Sequence, residues 1–507
     1  MLQSRVATAT SSELAAQAAA EIAADGGNAV DCALGAALLT MNTEPGVCAL
    51  AGGAYVTVWP ADGDPVTIDG NVAVPGIGAT RDSGSAQAVS MAYGGGIETI
   101  VGAPSVAVPG SLAALELASR RYGRAPWRQL VAPSVRAARH GFPLPSACHY
   151  YLQYSSEAVF ARSADGYRAL HGDDGALLPA GSRIVVEHLA DTLECIGDEG
   201  SRVFYAGELG ATIAAHVQAG GGRLTRADLA DYRAVPRTPL AVDLDGWRVV
   251  VNPPPAIGGG VLAAMLLAFA DTPVRHWDTA ARRRLIAVQD AVLGFRRERL
   301  DLSRDVAADV AALLSTVADG RLPGPWTSAS TVHTSAVDDG GTACAVTASS
   351  GYGSGEMPPG TGLWLNNCLG ELELNRRGLA AAPPGRRLPS NMTPGAARRG
   401  DAVLAFGSPG ADRITTALHQ FLVSYIQQGM PLAEAVAAPR LHLERSPHGP
   451  RLAVEPGIEL PPLNMAIDHY PAPNMYFGGV AAASYAPAAG FAAAADPRRE
   501  GATAVSP

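Results

Sequence analysis

The sequence predicts an α+β protein in which β-hairpins alternate with helices. The stretches 331–338 and 342–347 alternate polar with small or branched residues around a Gly-containing turn, which predicts a hairpin that begins at Thr331. The stretches 55–59 and 66–68 flank a second turn and predict a second hairpin. Ala-rich helical patterns precede the second hairpin, over about 12–41, and helices of this kind typically cover a sheet.

Helix boundaries in the first half follow from capping residues. Ser11 or Ser12 can cap a helix that runs to Asp25, where two glycines end it, and Asn28 can cap a second helix to about Met41. The stretch 109–188 is largely helical in pattern, and Thr225 is placed to cap another helix.

The second half contains a strand, a turn and a helix in immediate succession. Residues 403–406 predict a strand, 407–411 a turn, and the apolar spacing from Ile414 to Ile426 a helix that ends near Gly429. This arrangement directs the N–H groups of the turn toward whatever lies beside it. Upstream, 249–251 predicts a buried strand.

A glycine-rich stretch, 257–260, precedes a predicted helix over 260–269. It lacks the Lys-Ser/Thr of a phosphate-binding loop, so we interpret the glycines as packing residues. The stretch from about Thr316 to Ala329 is rich in turn residues and would expose the bond between Ser330 and Thr331.

Composition limits the functional classes. Of 507 residues, 48% are hydrophobic and 17% charged, which indicates a well-buried globule. A net charge of −9 argues against nucleic acid as a partner. The arginine runs 282–284 and 296–297 are interpreted as solvated helix faces.

Six cysteines are scattered without a CxxC pair, so neither a zinc site nor a disulfide framework is predicted. Thiols of this kind are typical of a reducing compartment. The N-terminus has no apolar signal-type core, and the longest apolar run, 261–270, is too short to span a membrane. We therefore expect a cytoplasmic protein without cofactor, metal or membrane partner.

Several motifs in a fixed order resemble those of the γ-glutamyltranspeptidase family of N-terminal-nucleophile hydrolases. The upstream blocks resemble its large subunit, and the blocks from Ser330 onward its small subunit. They are 26–31 (GGNAVD), 44–45 (EP), 108–110 (VPG), 253–260 (PPPAIGGG), 330–338 (STVHTSAVD), 359–367 (PGTGLWLNN), 387–394 (RLPSNMTP), 407–414 (GSPGADRI) and 433–440 (AEAVAAPR). The resemblance implies a four-layer αββα sandwich. It divides the chain into a large-subunit-like region, 1–330, and a small-subunit-like region, 331–507, which together form one core.

The resemblance also implies that the chain cuts itself before Thr331 and then works through an acyl-Thr331 intermediate. The freed α-amine titrates near pH 8 and lies beside its own hydroxyl, so it can serve as general base without a separate histidine. No G-x-S-x-G motif competes with this interpretation. His333, two residues along the strand, is interpreted as structural or supporting.

Other site residues are carried over by the resemblance. Ser349 matches the hydroxyl that orients the nucleophile, and Gly410 and Ala411 match the paired glycines of the oxyanion hole. Ser390 and Asn391 match a Ser-Ser pair that binds the substrate carboxylate or assists the oxyanion. Alanine at 411 keeps the N–H group and loses only backbone freedom.

The predicted acyl-binding pocket departs from the family pattern. The family arginine that grips the substrate α-carboxylate is replaced by Asn71, and Arg81 is an alternative source of that cation. Glu371 falls where an acidic residue receives the α-amino group. The segment after Thr347 and the connection from Glu371 to Ser390, where relatives carry a lid, are both short.

The favoured function is therefore a γ-glutamyltransferase-like amidase that passes its acyl group to water or an amine, with glutathione or another γ-glutamyl amide as default donor. The cleaved chain would be a heterodimer of its own fragments. Two alternatives stay open: an acylase on a different amide, such as a cephalosporin-type side chain, and a non-catalytic scaffold with the same fold.

Overall fold

The computed structural model describes residues 4–79, 84, 86–93, 96–319, 331–379, 382–446 and 449–506. Its strands are β1 (Val6–Thr10), β2 (Gly53–Trp59), β3 (Val66–Gly70), β4 (Gln87–Met91), β5 (Ile97–Val101), β6 (Phe142–Pro143), β7 (Arg183–Ile184), β8 (Val235–Arg237), β9 (Leu240–Leu244), β10 (Trp247–Val251), β11 (Val332–Asp338), β12 (Ala343–Ser349), β13 (Gly395–Arg399), β14 (Ala402–Gly407), β15 (Leu441–Ser446), β16 (Gly449–Val454), β17 (Ala466–His469), β18 (Ala481–Ala486), β19 (Gly490–Ala495) and β20 (Ala502–Val505).

The helices are α1 (Glu13–Ala24), α2 (Ala29–Thr43), α3 (Ser111–Tyr122), α4 (Trp127–His140), α5 (Ser146–Ser155), α6 (Ala164–Leu170), α7 (Leu189–Glu199), α8 (Arg202–Tyr205), α9 (Glu208–Ala219), α10 (Arg226–Asp231), α11 (Ile257–Ala270), α12 (Thr279–Glu298), α13 (Val306–Ala318), α14 (Arg413–Leu422) and α15 (Leu432–Ala437). The last turn after α14, Val423–Gln427, is a π-helix. Among the described helices, none is long and apolar enough to cross a membrane.

Two large sheets form the centre of the molecule. One has seven strands in the order β20-β1-β11-β12-β2-β3-β8, and the other six in the order β19-β18-β14-β13-β10-β9. The predicted hairpin is confirmed as β11 and β12, which pair antiparallel with Val332 opposite Ala348. The second predicted hairpin is confirmed as β2 and β3.

The two sheets face each other between outer layers of helices. Helices α2 and α3 pack on the seven-stranded sheet, and α11 and α14 cover the six-stranded one. The interface between the sheets is built largely from small side chains such as Ala7, Ala345, Ala396 and Ala483, which let the two sheets approach closely. The architecture is therefore the expected four-layer αββα sandwich.

Both sheets contain strands from either side of the bond before Thr331. In the seven-stranded sheet β11, β12 and β20 alternate with strands from the first 330 residues, and in the six-stranded sheet β9 and β10 join four strands from the later region. Neither region could bury its sheet alone, so the two must fold as one unit.

Most local predictions are confirmed. The Ser12 side chain caps α1, Asn28 forms a capping box at α2, and Thr225 does the same at α10. Two boundaries are wrong: α11 begins at Ile257, three residues before the predicted start at Gly260, and α13 continues to Ala318, although the sequence predicts a turn-rich segment from Thr316. Ser330 and the rest of that segment lie outside the described residues.

One surface assignment is also wrong. Arg296 was interpreted as part of a solvated helix face, but only 1% of it is exposed. It lies on the same face of α12 as the buried residues Val288, Gln289 and Val292. Two buried carboxylates, on Asp301 and Asp412, hold it there and offset the cost of removing its charge from water.

Candidate active site

Thr331 lies immediately before the central strand β11 and is 2% exposed. It contributes to the walls of two cavities. One, called here the narrow pocket, is lined by Thr331, Ser349, Glu371, Ser390, Asn391 and Asn71 among others. Its volume is about 20 Å³, which is room for about one water molecule. The fold thus brings Thr331 together with four predicted site residues from three chain segments.

Ser349 ends strand β12, the partner of β11, opposite Gly53 on β2. Its hydroxyl accepts a hydrogen bond from the N–H of Gly351 at 3.1 Å. Because β11 and β12 are antiparallel, the end of β12 lies beside the start of β11. This register places Ser349 at the nucleophile although eighteen positions separate it from Thr331.

The Ser390–Asn391 segment is held by the first turn of α11. The N–H groups of Ile257 and Gly258 donate to the Ser390 carbonyl at 2.9 and 3.1 Å. A Cβ at Gly258 would lie 2.3 Å from the Asn391 carbonyl oxygen, so only glycine permits this approach. The glycine-rich stretch is therefore a packing element, as predicted, and it positions two candidate substrate-binding residues.

A buried charge network supports Asn391 from behind. Its side-chain amide donates to Asp412 Oδ1 at 3.0 Å, and the same oxygen receives the Arg296 guanidinium at 2.7 Å. Arg296 also binds Asp301 at 3.1 Å. The Oδ1 of Asn391 is buried and makes no hydrogen bond to the described protein atoms, so it can receive a donor from a bound molecule.

The turn between β14 and α14 holds the candidate oxyanion hole. Within the described chain, the N–H groups of Gly410 and Ala411 donate to no protein acceptor. Ala411 has φ of 57°, in the left-handed region that favours glycine, and Gly410 has φ of 121°. The preceding Pro409 lines the second cavity with Thr331. The turn therefore retains the donors at some cost in backbone strain.

Glu371 is a buried carboxyl in the narrow pocket without a cation. Burial raises its pKa well above the usual value, the neighbouring Glu373 adds to the effect, and the Cys368 thiol partly offsets it. No Arg or Lys of the described chain lies within ion-pair distance of it. An ammonium group of a bound molecule would stabilise the ionised form of this buried carboxyl.

The Asn366–Asn367 pair fixes the chain shortly before Glu371. The Asn366 side chain bonds to the backbone of Ala51, Ala107 and Cys368, and the Asn367 amide donates to Thr99 and Ile100. Both side chains thus connect the region after Thr331 to the region before it through hydrogen bonds.

Asn71 lines the narrow pocket, but its side-chain amide is already engaged. It donates to the Leu388 carbonyl at 2.8 Å. Two arginines lie nearby and are turned toward Asp69 instead: Arg237 Nε at 2.8 Å and Arg387 Nε at 3.4 Å. Neither lines the narrow pocket. Arg81, the alternative cation, lies outside the described residues.

His333 is not available as a base. Its ring nitrogens contact the hydroxyls of Thr347 at 2.7 Å and Ser335 at 2.8 Å. Burial lowers its pKa to about 3, so it stays neutral at any working pH. Both contacts belong to the sheet interior, which agrees with the structural role predicted for it.

The second cavity beside Thr331 has a volume of about 270 Å³ and was not anticipated from the sequence. Its lining includes Glu44, Ser11 and Arg499. Burial raises the pKa of Glu44 to about 7, while a hydrogen bond of 2.5 Å from the Ser11 hydroxyl and the charge of Arg499 act in the opposite direction. In the part of the chain that the structure describes, no group of three His, Cys, Asp or Glu side chains is arranged to hold a metal.

Sequence reasoning missed Arg296, Asp412 and Glu44 as components of the site. Asp412 follows Ala411 directly, so a polar residue next to an oxyanion turn was a usable signal. Glu44 belongs to the EP motif, but no local pattern shows that the carboxyl at the C-cap of α2, sixteen residues after the N-cap Asn28, will be buried.

Two face-to-face sheets between helical layers, with a threonine at the start of a central strand, define the fold of the N-terminal-nucleophile hydrolases. Within that class the assignment is specific. The family model for gamma-glutamyltranspeptidase matches residues 15–506, and the chain belongs to that family.

Relatives within the family carry two kinds of name. The glutathione hydrolase proenzyme of Pseudomonas sp. (strain A14) is 29% identical over 86% of this chain and 81% of its own length. The acylase ACY 1 proenzyme of Pseudomonas sp. (strain V22) is also 29% identical, over 87% and 83%. A crystal structure of a cephalosporin acylase from Bacillus halodurans has a TM-score of 0.83 at 24% identity and covers 99% of this chain and 96% of its own. The family contains hydrolases and transferases. Because the glutathione hydrolase and the acylase are equally similar to this chain, similarity alone does not tell which of these two activities it has.

Proposed function

We propose that the chain cleaves itself before Thr331 and then transfers the acyl group of a small amide through an ester on the Thr331 hydroxyl. The observation that carries the proposal is the convergence of Thr331, Ser349, Glu371, Ser390 and Asn391 on one pocket. Each comes with a group that the chemistry needs: a hydroxyl nucleophile, an orienting hydroxyl, a carboxylate and two polar hydrogen-bonding groups.

Self-cleavage would begin with attack of the Thr331 hydroxyl on the Ser330 carbonyl. The Ser330–Thr331 amide becomes an ester as its nitrogen becomes the free α-amine of Thr331. Water then hydrolyses the ester and restores the hydroxyl. The products are the fragments 1–330 and 331–507, held together by the shared sheets.

In turnover, the α-amine of Thr331 would take the proton of its own hydroxyl as that oxygen attacks the substrate carbonyl. The negative oxygen formed there would be bound by the N–H groups of Gly410 and Ala411. Collapse releases the amine product and leaves acyl-Thr331, which water or a second amine then attacks. His333 takes no part, since its nitrogens are used by the sheet.

A γ-glutamyl amide is the first candidate donor. Glu371 is a buried carboxyl without a cation, and the α-ammonium of a γ-glutamyl group would supply one. The glutathione hydrolases among the relatives support the same choice.

An acylase acting on a different amide is the second candidate, and Asn71 is the observation that favours it. A desolvated α-carboxylate needs a cation or several N–H donors, whereas the Asn71 amide is neutral and already bonded to Leu388. The relative named as an acylase makes this choice consistent with the family. A non-catalytic scaffold remains the third alternative.

The test is to purify wild-type and Thr331→Ala protein and examine both on a denaturing gel. We expect two wild-type fragments, the smaller with threonine at its N-terminus, and an intact, inactive variant. Thr331→Ser is the matched control, because serine keeps a hydroxyl and should still be cleaved. Cleavage of the Ala variant at the same bond would exclude Thr331, and an intact wild-type chain would favour the scaffold. A cleaved enzyme that turns over glutaryl or other amides but not glutathione would favour the acylase.

We further propose that the protein is cytoplasmic. All six cysteines are unpaired, and five of them are buried, as expected in a reducing compartment. Cell fractionation with an antibody against the chain would test this, and recovery in an exported fraction would contradict it.

A further inference from the structure

Arginines are concentrated around two cavities next to the narrow pocket. The cavities measure about 70 and about 400 Å³ and share Pro255, Arg386 and Arg387 in their walls. Their charged lining consists of six arginines and three aspartates. The arginines, called here the arginine mouth, are Arg233, Arg237, Arg376, Arg377, Arg386 and Arg387.

The arginine mouth adjoins the candidate nucleophile. The smaller cavity and the narrow pocket share Leu374 and Pro389, so these two side chains are the wall between them. A molecule that reaches Thr331 with its scissile amide and extends past this wall would meet the arginines.

The carboxylates near the mouth are largely committed elsewhere. Asp301 binds the buried Arg296, and Asp228 accepts the N–H groups of Gly76 and Ile77 at 2.8–2.9 Å. Asp231 is exposed at the edge. The buried Asp69 is shared by Arg237 and Arg387.

Among the residues that the structure describes, two arginines of the mouth donate only to neutral oxygens. Arg376 donates to the Arg297 carbonyl at 3.3 Å and Arg386 to the Arg304 carbonyl at 2.6 Å. Both side chains are on the exposed surface, and each keeps further N–H donors. The pKa of Arg297 is lowered to about 10 by its burial and then by the charge of Arg376.

Such a cluster is unexpected in a chain with a net charge of −9. Like charges packed at one opening repel one another and raise the free energy of the folded protein. An anionic ligand that bridges several guanidinium groups removes this repulsion and gains charge-assisted hydrogen bonds.

We propose that the arginine mouth binds an acidic peptide, so that the amide substrate carries at least two carboxylates outside the narrow pocket. This rests on the proposed role of Thr331 and narrows its substrate class. The mouth attracts the anionic part and thereby guides the amide to the nucleophile.

Binding is tested first, because it does not depend on catalysis. Triglutamate is titrated into the wild-type protein by calorimetry at about 20 mM and about 300 mM salt, with triglutamine as the neutral probe of equal size. We expect triglutamate to bind about tenfold more weakly at the higher salt, where exposed charges are screened, and triglutamine to bind weakly at both.

The Arg376→Gln/Arg386→Gln double variant should bind triglutamate about tenfold more weakly at low salt, since two exposed charge contacts are lost. The matched control is Arg120→Gln/Arg121→Gln, which changes the net charge equally at the exposed end of α3, outside the cavity linings. It should change binding less than about twofold. Equal weakening in both variants, or equal binding of the two probes, would overturn the proposal.

Turnover separates this inference from the proposed function. For two amides with the same acyl group, one with an acidic and one with a neutral dipeptide leaving group, kcat/KM should favour the acidic one by about tenfold at low salt, and the double variant should erase the preference. An inactive protein that still binds triglutamate through the mouth would reject only the role of Thr331. An active protein that prefers the neutral amide would reject only the mouth.

Discussion

The nucleophile and the substrate wall of the narrow pocket are built differently. Thr331 is placed by the pairing of β11 with β12, and the 408–411 turn, which borders the second cavity through Pro409, offers backbone N–H groups. Asn71 and Glu371 line the narrow pocket with side chains, and these are the positions at which the sequence analysis predicts a departure from the family pattern. Backbone N–H groups keep their positions when side chains around the pocket are replaced. The acyl-transfer chemistry can therefore persist while the preferred substrate changes.

The buried network of Arg296, Asp412 and Asn391 joins the oxyanion turn to the substrate wall. Asp412 holds the Asn391 side chain in the substrate wall, and it directly follows Ala411 of the oxyanion turn. The charges of Arg296 and Asp412 are buried and stabilise each other, so the network holds both regions in fixed positions.

The largest effect after loss of Thr331 is expected from breaking this network. Arg296→Met leaves Asp301 and Asp412 buried without their cation and should lower the free energy of unfolding by about 3–5 kcal/mol. Arg297→Met, one position along the same helix and partly exposed, is the matched control and should cost less than about 1 kcal/mol. Urea denaturation measures both. If both variants lost the same free energy of unfolding, the loss would come from changing α12 itself and not from removing the buried charge.

A change confined to the substrate wall should alter selectivity. Asn71→Arg should raise kcat/KM for a γ-glutamyl amide relative to its 4-aminobutyryl analogue, which lacks the α-carboxylate, by about tenfold to a hundredfold. This corresponds to about 1.5–3 kcal/mol for a charge-assisted hydrogen bond. Because the two substrates are compared in one protein, any loss of stability from overpacking cancels.

Asn71→Gln adds length without charge and serves as the control for that ratio, which it should leave unchanged. A ratio that rises equally in both variants, or falls in the Arg variant, would show that the α-carboxylate does not face position 71.

A smaller effect is expected in the oxyanion turn. Ala411→Gly relieves the left-handed strain of about 1–2 kcal/mol, but the glycine loses more conformational entropy on folding. The free energy of unfolding should therefore change by less than about 1 kcal/mol, with kcat within about twofold. A large loss of kcat would mean that the alanine side chain itself contributes to the site.

The smallest effect is expected on the pH profile. If the α-amine of Thr331 is the base, activity rises with pH as that amine loses its proton, near pH 8. His333→Ala should leave this rise of activity, the acidic limb of the pH profile, in place, because His333 has a pKa of about 3 and is neutral throughout. The limb is measured as kcat/KM on any accepted amide.

Glu44→Gln is the necessary control, since the pKa of Glu44 is raised to about 7 and it lines a cavity with Thr331. Loss of the limb in this variant would assign the titration to Glu44. A limb near pH 4–5 in the wild type would exclude an amine as base.

The sequence alone determined the hairpins, the helix caps and the strand–turn–helix over 403–426, because these depend on local alternation, capping side chains and glycines. It also predicted that Thr331 begins a strand and that Asn71 departs from the family pattern, since both predictions follow from the order of motifs along the chain.

Only the tertiary structure decided which of these residues meet. That Ser349 lies at Thr331 depends on the antiparallel register of β11 and β12, and that Arg296 is buried depends on carboxylates from Asp301 and Asp412. The arginine mouth gathers residues from stretches near 235 and 380, which no local pattern connects. The physical reason is that burial and charge pairing are set by contacts distant in sequence, whereas helix and strand propensity act within a few residues.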